Sequence, residues 1–317
     1  MRKSLSVVYL IRVIFFMMII LLISWVKIIL QLNLYVGCSG WSYRAWKGTF
    51  YPSNLENRDW LSYYSKFFKF VEVDSTFYNI PSRFVVKGWK DKTPDNFKFA
   101  LKFPKIITHE RKLEGVSKYL YPFFYALEPL MEKTLILLIQ LPPYLSAEKG
   151  FKPLKNMVKR LDGRYRYALE VRESTWFDEK VYDFLKENKI SLAWSVRDEL
   201  KTPPIVTSDQ VSIRFIGDRS IGENDNGKIE KNRDKEVIEY LDNINKIQMN
   251  GETREHQIMI SFNNHFAGFG PESANTFLKL ANEPEIDWKM GLGREENPIS
   301  KPNGEQTRIS EYTYHKI

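Results

Sequence analysis

Residues 70–74 read Phe-Val-Glu-Val-Asp, and residues 167–172 read Tyr-Ala-Leu-Glu-Val-Arg. In a strand, successive side chains point to opposite faces. Val71 and Val73 therefore share one face, while Glu72 and Asp74 share the other. Likewise Leu169 and Val171 oppose Ala168, Glu170 and Arg172. A strand with one apolar face, and another that turns polar toward its C-terminal end, suits a barrel. There the first face packs on helices and the second lines a lumen.

The same pattern recurs in both directions along the chain. Phe99, Leu101 and Phe103 alternate with Lys98, Ala100 and Lys102, and Leu137, Ile139 and Leu141 with Leu138 and Gln140. Leu192, Trp194 and Val196 alternate with Ala193, Ser195 and Arg197, Val211, Ile213 and Phe215 with Ser212 and Arg214, and Ile258, Ile260 and Phe262 with Met259, Ser261 and Asn263. With Leu34–Ser39, these runs make eight candidate strands: 34–39, 70–74, 97–103, 134–141, 167–172, 190–197, 211–216 and 257–263. Helical stretches are expected around 57–68, 82–92, 118–131, 151–161, 178–187, 234–248 and 271–280. The gap holding Pro203-Pro204 is too short for a full helix. Eight strands alternating with helices imply parallel pairing and a closed (β/α)8 barrel of the TIM type. The barrel domain is expected over 34–282, and 283–317, broken by Pro284, Pro298 and Pro302, reads as a weakly ordered polar tail.

Composition narrows the class. Hydrophobic residues make up 43% of 317, enough for a large core. Cys38 is the only cysteine, which excludes intramolecular disulfides and cysteine-based zinc sites and fits a reducing, cytoplasmic compartment. The net charge is +8, of which residues 1–34 supply +4. The rest is a mild excess scattered as pairs, which offers little support for a nucleic-acid partner.

Residues 1–33 are strongly apolar. Val13–Val26 is uncharged between Arg12 and Lys27, 14 residues against the roughly 20 needed to span a bilayer. Snorkelling of Lys27 extends the span through Leu30. Residues 5–31 thus read either as a membrane anchor or as a stretch upstream of a true start near Leu32 or Leu34.

The charges on the lumen face need partners or a ligand. Glu72, Asp74, Lys102, Gln140, Glu170, Arg172, Arg214 and Asn263 sit toward strand C-terminal ends, where barrel active sites lie. A purely structural ion network is the plain alternative.

These stretches also carry a resemblance. Gly37-Cys38-Ser39-Gly40-Trp41-Ser42-Tyr43 with Trp46 and Phe50-Tyr51-Pro52, and Glu72-Val73-Asp74-Ser75-Thr76-Phe77-Tyr78 with Pro81, resemble motifs of the family called domain of unknown function 72. So do Lys102 with Thr108-His109, Gln140-Leu141-Pro142-Pro143, Glu170-Val171-Arg172 with Trp176, and Phe262-Asn263-Asn264-His265 with Gly268. The resemblance implies a TIM-type barrel over about residues 34–280 and implies no reaction. Two positions depart from the family's pattern. Asp74 stands where asparagine is more frequent, and Arg214-Phe215-Ile216-Gly217 replaces Arg-x-His-Gly.

From these residues the expected catalytic groups are Glu170, His109 and Lys102. Substrate contacts are expected from Glu72, Asp74, Thr76, Tyr78, Gln140, Arg172, Trp176, Arg214, Asn263, Asn264 and His265. Glu170 and His109 would handle protons, and Lys102, Arg172 and Arg214 would hold negative charge. The loop aromatics Trp41, Trp46, Trp176 and Tyr78 would stack on a ligand or roof the barrel, both of which require partial burial. Cys38 falls with Val36 on the helix side and reads as inert packing. No cofactor is expected. A divalent metal has candidate ligands in Glu72, Asp74, Glu170, Asp198, His109 and His265, but no tight ligand spacing. The leading expectation is an acid/base hydrolase or isomerase for a small phosphorylated or sugar-like substrate. The rivals are a nucleic-acid-binding or -processing protein and a non-catalytic small-ligand binder tethered to a membrane.

Overall fold

A computed structural model describes residues 33–218, 220–222, 226–249 and 257–292. The strands are β1 (Asn33–Ser39), β2 (Phe70–Val73), β3 (Lys98–Lys102), β4 (Thr134–Gln140), β5 (Tyr167–Glu170), β6 (Ile190–Leu192), β7 (Trp194–Val196), β8 (Gln210–Phe215) and β9 (Gln257–Phe262). All pair in parallel, in the order β6-β5-β4-β3-β2-β1-β9-β8-β7. Only Ala193 separates the two end strands along the chain, so the sheet forms a nearly closed barrel.

The single strand expected at 190–197 is thus divided. Its first part pairs with β5 and its second with β8. The free edge of the first part is satisfied by a side chain: Thr207 Oγ1 donates to Ile190 O and accepts from Leu192 N, both at 2.7 Å. A buried backbone group must find some partner, and a threonine in the Pro-containing connection supplies it here.

The helices are α1 (Trp60–Phe67), α2 (Ser75–Tyr78), α3 (Arg83–Asp91), α4 (Ser117–Leu127), α5 (Ala147–Val158), α6 (Glu179–Glu187), α7 (Asp234–Met249), α8 (Asn264–Ala267), α9 (Gly270–Leu280) and α10 (Lys289–Leu292). Side-chain caps set several of the starts. Ser82 accepts from Val85 N ahead of α3, and Asp178 accepts from Lys180 N ahead of α6. Helix α5 begins four residues before the expected start at 151, because Gly150 and Pro153 mask its periodicity in the sequence. Helix α4 passes into a 3-10 turn, Glu128–Lys133, where Pro129 removes a donor.

Burial separates two apolar bodies. Phe70, Ala100, Ile136, Leu138, Ala168, Ala193 and Met259 fill the lumen below the rim. The opposite strand faces, including Val71, Phe99, Leu137, Leu169, Ile213 and Ile260, pack with the helices. This is the alternation read from the sequence. Cys38 belongs to the second body, and burial raises its thiol pKa well above the ordinary value, as inert packing requires.

Part of the expected tail lies against the barrel. Ile286 N donates to Asn275 Oδ1, and Trp288 is 1% exposed and donates from Nε1 to Thr49 O. Apolar side chains at Ile286 and Trp288 explain why 283–292 docks despite its polar surroundings. The rest of the expected tail, 293–317, and the apolar segment at 1–32 lie outside the described residues. No helix among the described residues is long and apolar enough to cross a membrane.

Candidate functional site

The strand register brings the lumen-facing polar residues to one level. Ser39 pairs with Glu72, Gln140 with Glu170, Ser195 with Arg214, and Arg214 with Ser261. At the centre stands Arg214, 1% exposed, bridging the lumen. Its Nε and Nη2 donate to the two oxygens of Glu72 at 2.6 Å each, and its Nη1 pairs with Glu170. Ser261 Oγ adds a 3.1 Å bond to Glu72. Burial alone would raise the Glu72 pKa, but Arg214, Lys102 and the bond from Ser261 together hold it well below the carboxylate range.

Above this layer are the groups that reach the opening. Lys102 Nζ lies 2.6 Å from Asp74 and 3.5 Å from Glu72. Arg172 donates from Nε to Glu170 Oε1 at 2.7 Å, and among the described residues this is its one hydrogen bond. Burial lowers the Arg172 pKa to about 10, partly offset by Glu72, Glu199 and Asp74, so it stays charged at neutral pH.

His109 sits in a π-helical turn, Ile106–Glu110, after β3. The turn is followed by two residues with left-handed backbone, Lys112 (φ 49°) and Leu113 (φ 71°). Its Nδ1 is 2.9 Å from Thr108 Oγ1, and Phe77 meets its ring edge-on. Thr108 Oγ1 is also 3.4 Å from Pro104 O, so whether it donates to Nδ1 or accepts from it depends on the imidazole tautomer. Burial first, then Arg172 and Lys102, push the His109 pKa down to about 4. The imidazole is neutral at pH 7.

Three buried polar atoms at the same level have no hydrogen-bond partner among the described residues: Ser39 Oγ, Gln140 Oε1 and Ser195 Oγ. Such atoms are uncommon in folded proteins and mark a place where a polar guest would be welcome. Ser39, Ser195 and Ser261 were not among the expected site residues. The face alternation that located Glu72 places them too, but a serine carries little chemical signal of its own.

Several expected contacts stand elsewhere. Trp176 is fully buried and donates to Leu145 O, with Gly150 of α5 against its ring. Trp46 is also fully buried, donating to Asn264 Oδ1. Tyr78 is 63% exposed. The expectation of partial burial thus fails for all three and holds for Trp41. Thr76 is buried and donates to Lys102 O, fixing the backbone of β3 rather than facing the lumen. Asn263 caps α8 by accepting from His265 N, Asn264 joins the first loop to α9 by accepting from Gly270 N, and His265 Nδ1 meets Ile221 O at 3.0 Å. These three position loops at the rim. Asp198, a candidate metal ligand, pairs with Arg233. Among the described residues no three His, Cys, Asp or Glu side chains come together as a metal-binding group.

Comparison with known proteins follows the same stretch. The family model described as "Protein of unknown function DUF72" matches residues 35–295. The UPF0759 protein YecE of Escherichia coli K12 is 28% identical over 144 residues, 45% of this chain and 50% of that protein, so the chain spans about half that relative's length in the match. The UPF0759 protein YunF of Bacillus subtilis is 24% identical over 272 residues, 78% of this chain and 94% of that protein. Among solved structures, a DUF72 family protein of Thermotoga maritima is similar at TM-score 0.67 and 27% identity, covering 79% of this chain and 99% of that one. One from Enterococcus faecalis, at TM-score 0.65 and 21% identity, covers 85% and 100% and bears on the fold alone. The family model covers most of the chain and the barrel is common to the solved structures, so the chain belongs to the DUF72 family.

Proposed function

We propose that the barrel mouth is an active site that binds a small polar substrate bearing an anionic group and transfers a proton on it, in a hydrolysis or isomerisation. Arg172 carries the reading. Its Nε is spent on the fully buried Glu170, while its two Nη groups have no partner among the described residues, and its charge acts with that of Lys102 on His109. A guanidinium pinned at one edge offers a planar, pre-oriented fork to a phosphate or carboxylate. His109, with a neutral imidazole, is the proton-transfer group. Ser39, Gln140 and Ser195 offer unpaired polar atoms to hydroxyls of a sugar-like body.

Glu170 has both oxygens on guanidinium groups, so it serves the site by fixing Arg172. A proton-transfer role for Glu170 would require one ion pair to open. Arg214, buried below with both acids, neutralises the floor and does not reach the substrate.

Calorimetric titration with inorganic phosphate and a panel of sugar phosphates and free sugars tests this. At least one phosphorylated compound is expected to bind, with Arg172→Gln weakening it by about tenfold or more. His109→Asn is expected to retain binding and lose turnover. If no anion in the panel binds, or if Arg172→Gln binds as wild type does, the assignment is wrong.

A further inference from the structure

We infer that the outer face of the second and third β/α units is a binding surface for single-stranded nucleic acid. The inference stands on different residues from the mouth. Leaving out the lumen residue Lys102, residues 78–125 contain nine Lys and Arg against four Asp and Glu, a net +5. The remaining residues from 35 onward, Lys102 among them, sum to −1. The excess positive charge of the folded body is thus confined to one sector, although in sequence it reads as scattered pairs.

The same sector and the loop beside it hold every exposed large aromatic among the described residues: Tyr78, Phe84, Tyr121, Tyr125 and Tyr144. Phe84 and Tyr121 are 75% and 74% exposed. On α4, Lys118, Tyr121 and Tyr125 recur at helical spacing on the solvent side, with the two tyrosine rings near-parallel at 18°. Arg83 of α3 lies over the Tyr125 ring at 4.5 Å, next to Phe84. Arg83 also pairs with Glu128, so its charge is partly spent.

The surface continues toward the mouth. Lys118 lies over Tyr119 at 5.1 Å, and Lys112 over Tyr144 at 5.5 Å. Tyr144 in turn donates to His109 O. Between these groups lies a concavity of about 570 Å³ whose lining includes Arg111, Lys112, Lys149 and Tyr144, along with Glu110 and Glu114. Exposed aromatic faces interleaved with cations meet the two needs of a single strand, stacking for each base and a positive track for the phosphates. A folded apolar partner would not call for the confined positive charge, and a duplex hides its base faces.

Fluorescence anisotropy on the full-length chain with a labelled oligopyrimidine of roughly 15 nucleotides tests the inference. Binding is expected at low salt, with log affinity falling linearly against log salt concentration. The variant Phe84→Ser/Tyr121→Ser/Tyr125→Ser changes only exposed side chains, and its melting curve checks that it folds. It should bind about tenfold more weakly or worse. Lys87→Glu/Lys118→Glu, which removes two phosphate contacts, should flatten the salt slope by about 1.4. Arg172→Gln should leave oligonucleotide affinity within about twofold, which separates this surface from the mouth. No binding at low salt overturns the inference, as does a triple variant that binds like wild type. So does equal competition by duplex or by polyglutamate, which would point to bare charge or to an acidic protein partner.

Discussion

Replacing Arg214 by methionine puts the greatest strain on the account of the barrel floor. The residue is 1% exposed, makes two 2.6 Å charge-assisted bonds to Glu72, and pairs with Glu170. In Arg214→Met the two carboxylates, 2% and 0% exposed, remain buried with only Lys102 and Arg172 nearby. Removing one partner of a buried ion pair costs about 3–5 kcal/mol, because the charge left behind is neither solvated nor paired. For a domain of this size that corresponds to a fall in Tm of about 6–20 °C.

The pH dependence is more diagnostic than the size. In the wild type the Glu72 pKa is depressed, so its contribution to stability is present above the ordinary carboxylate range and is lost as pH falls through and below it. In the variant the buried carboxylates have raised pKa values, and acid relieves them by protonation. The Tm difference should therefore shrink between pH 7 and about pH 5. Thermal unfolding followed by circular dichroism across that range measures it. A difference below about 2 °C at pH 7, or one that does not change with pH, would refute the claim that Arg214 neutralises the floor.

Two further outcomes are expected from the same structure. His109, with its pKa lowered to about 4 chiefly by burial and then by Arg172 and Lys102, should show no protonation by NMR between pH 8 and about 5, and Arg172→Gln should raise its midpoint. Because the unfolded chain protonates it near 6.5, this group's contribution falls as pH drops from about 6.5 toward 4; a native midpoint near 6.5 would contradict the described burial. Gly37→Ala would place a Cβ 2.1 Å from Phe70 O and 2.8 Å from the Tyr64 hydroxyl. It should force β1 from β2 and cost at least about 2 kcal/mol in urea unfolding, and wild-type stability would show that the two strands are not that close.

Much of the floor was legible in residue order. Glu72, Lys102, Glu170, Arg172 and Arg214 were recognised as lumen groups because strand alternation is a local geometric rule that needs no knowledge of neighbours. The roles of Trp176, Thr76 and Asn264 were not legible. Each occurs in a motif beside the rim, yet Trp176 packs on Gly150 and Leu145, Thr76 bonds the backbone of β3, and Asn264 joins the first loop to α9. Motif membership says that a residue matters, and it leaves open whether its side chain faces a ligand or a backbone.

The sequence by itself determined the barrel, its parallel order and the face on which each charge lies, since periodicity and the strand–helix alternation are short-range properties. Tertiary structure decided the pairings. Arg214 and Glu72 are 142 residues apart and meet only because a closed sheet sets β8 across from β2. The division of 190–196 between two neighbours, the docking of Trp288, and the gathering of scattered cations beside exposed tyrosines on α3 and α4 arise in the same way. Each depends on distances across the fold, which no spacing along the chain encodes.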